Sequence, residues 1–341
     1  MKLIKPSFEI LEQKPKEIVV PDDMKIGPRK VREELLNSIY RQIEIAGRTC
    51  YKSEDKITDT SAKEFVNKLV NSGHWAMLEH GTVYLQLLGV FLNPEDTDVA
   101  YGNYVVNHYI NNPYSKVKII HDEEWKSDVY ISTNYRVIVE HNWFRDLHYL
   151  CEPTKYHAKR VSVRFVTDQG ILREFTRHRT ASFAVESTRY CNYSKDKFNN
   201  ELTFIKPCWS LASMTSEDFR GEHFLDALKK AEEEYLYLIE SGWKPQEARN
   251  VLPLATKCEI IMTAFVDDWW GEYLVFDKNT GLIDQIIHGM FWKELDNIDK
   301  ERYRIVERGF FPLRCSSAAH PQARELAIPL REEFTKKEYI K

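Results

Sequence analysis

Residues 175–193 read FTRHRTASFAVESTRYCNY, running from Phe175 to Tyr193. Four basic side chains, Arg177, His178, Arg179 and Arg189, stand there among Ser182, Ser187, Thr188, Tyr190 and Tyr193. Guanidinium forks and hydroxyls suit a phosphorylated ligand, because charge-assisted hydrogen bonds to phosphate are shorter and about twice as strong as neutral ones. By composition alone the cluster also reads as a solvated basic helix face, since short charge runs usually sit in water. Spacing adds more: Arg-His-Arg, seven further residues, Ser187 and then Arg189 form a five-position pattern. At average residue usage such a pattern arises by chance on the order of once in several million starting points.

Working outward, Asp168-Gln169-Gly170 reads as a turn before a helix that begins near Ile171 and leads into the cluster. Val129–Val139 and Val161–Val166 have strand-like composition. Val31, Leu35, Ile39, Ile43 and Ala46 recur at helical spacing, which predicts a helix over 29–46 stopped by Gly47. A second helix is predicted over 61–72, and Thr82–Phe91 reads as a strand. Residues 92–128 are polar and aromatic, as an inserted excursion would be, and 101–115 read as an ordinary polar loop. Downstream, Phe224 to Leu238 mark a helix ending at Gly242, Pro245 suits the first turn of another, and Pro253 stops it. Thr256–Val266 reads as a strand, Asp267-Asp268-Trp269-Trp270 as a helix start with core tryptophans, 271–308 as a second insertion, and Leu313 onward as a terminal helical segment. The expected class is α/β (α+β): a central sheet flanked by helices, one catalytic domain over 1–341 with insertions at about 85–160 and 271–308.

The chain has 341 residues, 43% hydrophobic and 29% charged, ordinary values for a globular protein. Its 48 basic and 52 acidic residues give a net charge of −4, so no global basic field attracts nucleic acid or an anionic membrane, and any phosphate site must be local. Met1–Asp23 carries Lys2, Lys5, Glu9 and Glu12 and does not read as a secretory signal; Val99–Ser115 is too rich in Asn and Tyr for a membrane span. Six cysteines lie scattered, no two closer than 17 positions, which is neither a zinc-finger nor a disulfide pattern. A soluble, cytoplasmic protein in a reducing compartment is expected.

Further segments fall in a fixed order around the cluster: Arg48-Thr49-Cys50-Tyr51, Ser72-Gly73-His74 with Leu78-Glu79-His80, Glu247-Ala248-Arg249 with Leu252-Pro253, and Leu313-Arg314 leading to Ala319-His320-Pro321-Gln322. Together with the Arg-His-Arg stretch they resemble the flavin-dependent thymidylate synthase family, over about half the chain. The resemblance implies FAD as cofactor and conversion of deoxyuridine monophosphate (dUMP) to thymidylate (dTMP). It also implies methylenetetrahydrofolate as one-carbon donor, NADPH as reductant, and a homotetramer whose active sites are shared between subunits. Carried over, Arg177, His178 and Arg179 would contact the flavin with His74 and Glu79; Ser187, Thr188 and Arg189 would hold substrate phosphate and sugar; Arg249 would add a second charge; Arg314 would face the uracil as the catalytic residue.

Two positions depart from the family pattern. Val185 stands where Glu or Gln is common, with Glu186 beside it as the substitute cofactor contact, and the late Asn-x-Arg pair is replaced by TAFVDDWW from Thr263. Asn134-Tyr135-Arg136 offers such a pair earlier, so Asn134 and Arg136 are the candidates for the flavin. No general base accompanies Ser187 at a coded spacing, which favours phosphate binding for its hydroxyl. None of the cysteines has the context of an activated thiolate. His74 and His80 lack the i,i+4 spacing and further ligands of a metal site, so no metal is expected. A protein that keeps the phosphate pocket to sense or store a nucleotide without turnover is the alternative.

Overall fold

The computed structural model describes residues 1–16, 28–91, 100–121, 126–209 and 219–339. Residues 92–99 and 122–125 of the expected excursion, and 17–23 of the N-terminal stretch, lie outside the described residues. Two units emerge, one comprising residues 1–10, 49–52 and 163–340, the other 11–48 and 53–162.

The 11–48, 53–162 unit is built on a three-stranded antiparallel sheet in the order Thr82–Phe91, Lys126–Asn134, Lys116–His121. Ile39, Ile43, Val66, Leu78, Val83, Leu85, Val129 and Ile131 form its buried core. The first helix, Pro28–Tyr51, runs straight through Gly47. A Cβ at Gly47 would lie 2.6 Å from Cε1 of Phe65, so this glycine is a place of close packing against the helix Ser61–Asn71 and not a stop.

Two other expectations are corrected in this unit. The strand-like run Val129–Val139 is split: the strand ends at Asn134, whose side chain accepts the Val137 N–H and starts the helix Tyr135–Glu140. The Asn N-cap oxygen accepts from one of the N–H groups that a helix start leaves unpaired and so overrides the β-preference of Val137, Ile138 and Val139. Residues 101–115 are not a polar loop. The helix Ala100–Ile110 buries Val105, Val106 and Tyr109, and the Tyr109 hydroxyl donates to buried Asp146 at 3.0 Å.

The other unit carries a four-stranded sheet in the order Ser7–Leu11, Arg160–Asp168, Lys257–Phe265, Ser182–Val185. The last two strands are antiparallel, Ser182 opposite Thr263 and Val185 opposite Ile260. Lys2–Ile4 pairs in parallel with Thr203–Ile205. Phe165, Phe175, Trp269, Phe310 and Phe334 are buried together, with Trp269 and Phe310 edge to face at 4.9 Å. The helix begins at Gln169 with Asp168 as its N-cap, two residues before the expected start, and ends at Phe175. Helices Arg220–Glu240, Pro245–Ala248, Phe310–Cys315 and Pro321–Lys336 complete the unit.

Within 271–308, the segment expected as a second insertion, lies an antiparallel sheet in the order Ile283–His288, Glu272–Asp277, Tyr303–Arg308. It packs Tyr273, Val275 and Ile287 against Trp292 and Leu295. Gly271 (φ +62°) and Gly309 (φ +91°) close its base, and a Cβ on Gly271 would fall 2.1 Å from the Arg308 carbonyl oxygen. Only glycine allows that left-handed backbone and that approach together. With helices interspersed among strands that pair mainly antiparallel, the class is α+β.

Candidate active site

The arginine-rich segment is not one helix face. After Phe175 the chain turns through Arg177, His178 and Arg179, enters the strand Ser182–Val185, and turns again through Ser187–Arg189. Arg177, Arg179, Arg189 and Arg249 are exposed, while Ser187 and Thr188 are half-buried. The Ser187 N–H donates to the Cys50 carbonyl at 2.9 Å, and the Tyr190 and Cys191 N–H groups return to the Ser187 carbonyl. Within this tight turn the Arg189 N–H donates to the Ser187 Oγ at 3.3 Å. Arg189 Nε donates to Gln246 Oε1 at 3.2 Å, and Arg249 NH1 donates to Thr188 Oγ1 at 3.3 Å. Arg249 is carried by the short helix Pro245–Ala248, begun by Pro245 and by the Lys244 N–H donating to the Glu247 carboxylate at 2.9 Å. Ser187, Thr188, Arg189 and Arg249 are thereby brought together.

A second cluster centres on Arg314. Its Nε donates to His178 Nε2 at 3.0 Å, its NH1 to Glu174 Oε2 at 2.7 Å, and its NH2 to the Glu174 carbonyl at 2.7 Å. Burial, aided by the Arg314 charge, holds the His178 pKa down to about 4. Burial also lowers Arg314 from its ordinary value against the pull of Glu174. Beside Glu174 opens a groove of about 420 Å³ lined by Ile171, Ile205, Trp209, Phe224 and His320; Arg177, Arg179 and Arg189 do not line it.

His74, Glu79, Asn134 and Arg136 stand in the other unit. His74 is exposed ahead of the 3-10 helix Trp75–His80. Arg136 NH1 donates to Glu79 at 2.6 Å and its Nε to Glu140 at 3.0 Å, and the bond to Glu79 leads in raising its pKa. Asn134 is buried as the helix cap described above.

Glu186 is turned inward. Its Oε1 accepts the Tyr193 hydroxyl at 3.0 Å; its Oε2 accepts Lys257 Nζ at 2.8 Å and the Glu259 N–H at 3.1 Å. Lys257 also meets Glu259 at 2.7 Å, and Lys52 meets the same Glu259 oxygen at 2.9 Å. Burial opposes both charges, but Lys257 and Lys52 hold the Glu259 carboxyl down to about 2, while Glu186 and Glu259 keep Lys257 above the usual lysine value. Sequence reasoning missed Glu174, Lys257, Glu259 and Lys52. The available signal was Lys257-x-Glu259, two charges on one face of an otherwise apolar strand.

Among the thiols, Cys151 Sγ lies 3.8 Å from His157 Nε2, a pairing that resembles an activated cysteine. His157 Nδ1 accepts the Thr154 N–H at 3.1 Å, so the ring proton is on Nε2 and points to the Leu85 carbonyl at 3.1 Å. The histidine is therefore no base for the sulfur, whose pKa burial pushes up to about 12. Among the described residues no group of three or more His, Cys, Asp or Glu could hold a metal ion. No helix of the described residues is long and apolar enough to cross a membrane.

One strand-flanking segment of this α+β unit thus presents arginines and hydroxyls together, side chains whose chemistry suits a phosphate. The model of the thymidylate synthase complementing protein family matches residues 157–271, the segment that carries most of these groups. A flavin-dependent thymidylate synthase of Haloarcula marismortui is 32% identical over 123 residues, 31% of this chain and 50% of that protein. One of Pyrobaculum aerophilum is 39% identical over 83 residues, 24% of this chain and 27% of that protein. The chain thus spans half or less of the length of these relatives. Among solved structures, the UMP/dUMP methylase PolB of Streptomyces cacaoi, crystallised with 5-Br dUMP, covers 98% of this chain and 93% of its own at 12% identity, with a TM-score of 0.34.

Proposed function

We propose that this protein reductively methylates dUMP to dTMP, taking the one-carbon unit from methylenetetrahydrofolate and the hydride from FAD reduced by NADPH. The observation that carries the reading is the company of the family segment: Ser187, Thr188, Arg189 and Arg249 converge in one unit that also holds the Glu174–Arg314–His178 cluster. Two exposed guanidiniums, Arg177 and Arg179, flank His178, and their forks suit the phosphates of a dinucleotide cofactor. Bound flavin supplies the redox chemistry that no side chain here can supply.

The chain's own residues bind, orient and stabilise charge. Arg189 and Arg249 neutralise the substrate phosphate while the Ser187 and Thr188 hydroxyls hydrogen-bond its oxygens. Of the five N–H donors of Arg314, three are spent on His178 and Glu174, leaving two for a pyrimidine carbonyl on which negative charge develops. Glu174 fixes the direction of those donors before substrate arrives. His74, Glu79, Asn134 and Arg136 are proposed on the flavin side, from the resemblance alone. The exposure of Arg189 and Arg249 in a single chain suits a phosphate site completed by a neighbouring subunit, and a homotetramer with shared sites is proposed.

Purified protein tests the reading. A yellow flavin spectrum bleached by NADPH without oxygen, and dTMP formed only when methylenetetrahydrofolate is present, are expected. Colourless protein that binds dUMP and never turns over would overturn the enzyme in favour of a nucleotide sensor.

A further inference from the structure

The turn proposed to grip the nucleotide phosphate rests on a buried ionic chain. Glu186, immediately before Ser187, has a fully buried carboxylate, and the side chains of Lys257, Glu259 and Lys52 are each at most 18% exposed. The contacts run Lys52–Glu259–Lys257–Glu186, two cations alternating with two anions, so the chain is neutral as a whole. Backbone bonds tie the same residues: the Glu186 N–H donates to the Glu259 carbonyl at 2.8 Å, and the Ser187 N–H to the Cys50 carbonyl at 2.9 Å. Lys197 Nζ closes the other side by donating to the Lys52 carbonyl at 2.7 Å.

We infer that Lys257 is a positioning residue: by neutralising buried Glu186 it holds the Ser187–Arg189 turn against the strand Lys257–Phe265 in the conformation that receives a nucleotide phosphate. The importance for substrate rests on the function proposed above; the holding of the turn does not. The physical reason is that an unpaired carboxylate cannot remain in a dry interior. Without Lys257, Glu186 must either take a proton or swing toward water, and swinging carries Ser187 with it. Lys257 touches no exposed arginine of the turn and supplies no charge to the ligand directly. Its effect passes through Glu186, whose two oxygens are otherwise satisfied by Tyr193 and by the Glu259 N–H.

Three variants of the whole protein test this: Lys257→Met, Lys257→Arg, and Lys257→Met combined with Glu186→Gln. Hydrogen exchange of the 186–191 amides and dUMP affinity by calorimetry are the readouts. In Lys257→Met the turn is expected to exchange faster and dUMP to bind about ten- to a hundred-fold more weakly, the scale of a misplaced contact of about 1 Å. Lys257→Arg should restore most of the affinity. The double variant should bind better than Lys257→Met, because it removes the stranded charge, an outcome that generalised loosening of the fold would not give. A folded Lys257→Met protein with unchanged exchange in 186–191 would overturn the inference. So would a double variant no better than the single one. Faster exchange in a protein whose unaltered form binds no dUMP would uphold the positioning role and sink the nucleotide reading instead.

Discussion

Arg314 donates its Nε hydrogen to Nε2 of His178 across 3.0 Å, so the imidazole accepts at that nitrogen and is neutral, with its proton on Nδ1. A histidine between two arginines in sequence would suggest one more cation for a phosphate. In the fold it is a neutral acceptor that steers a guanidinium, half of a device whose other half is Glu174.

That arrangement makes stability depend on pH in a definite direction. The folded His178 pKa of about 4 lies below its ordinary 6.5, so between these values the unfolded chain binds more protons and stability falls as pH falls. The full stability is present above pH 6.5, and up to about 3 kcal/mol is lost on reaching pH 4. Urea unfolding at pH 7, 6, 5 and 4.5 should show this slope, and His178→Asn should flatten it. An equal slope in that variant would assign the proton uptake to another group.

Arg189→Ala should weaken dUMP binding by about 1.5 to 3 kcal/mol, the scale of a lost charged hydrogen bond. Its side chain is exposed, bonded to Gln246 and stacked 5.2 Å over Tyr190, so folding stability should change by no more than about 0.5 kcal/mol. Calorimetric titration of a folded variant with unaltered affinity would remove Arg189 from the site.

The thiols are predicted to differ sharply in reactivity. Cys208 is exposed, whereas Cys191 and Cys258 are buried, and burial pushes Cys151 and Cys191 up to about 12 and Cys258 well above the ordinary thiol value. Titration with a thiol reagent at pH 8 should show a fast phase that Cys208→Ser abolishes. Labelling of Cys151 ahead of Cys208 would contradict the tautomer assigned to His157.

What the sequence made legible was whatever is encoded locally. The Arg-His-Arg spacing and the helix over 61–71 could both be read. Val137–Val139 misled because a cap at Asn134 decides the helix and side-chain preference does not. The helix Ala100–Ile110 was hidden because Asn and Tyr mask a face on which Val105, Val106 and Tyr109 are buried. Of the ionic chain under Ser187 only Lys257-x-Glu259 leaves a local mark; Lys52 and Glu259 are 207 positions apart, and a pairing across such a distance leaves no local pattern.

Gly47 offers a test in which the sign itself decides. In an ordinary helix interior, replacing glycine by alanine stabilises by about 1 kcal/mol, through a smaller loss of backbone entropy. Here the new methyl would lie 2.6 Å from Cε1 and 2.7 Å from Cζ of Phe65, and that ring cannot retreat freely because the Arg48 guanidinium sits 4.5 Å from its centroid. Overpacking of this kind costs about 1 to 3 kcal/mol, so Gly47→Ala should lower stability despite its better helix propensity. In a Phe65→Leu background the clash is relieved and the propensity gain should appear, so the same substitution should then raise stability by about 0.5 to 1 kcal/mol. Thermal or urea unfolding of the four proteins measures both effects. Stabilisation by Gly47→Ala in the unaltered background would mean that the packing against Phe65 is loose enough to take the new methyl and that no clash reserves this place for glycine.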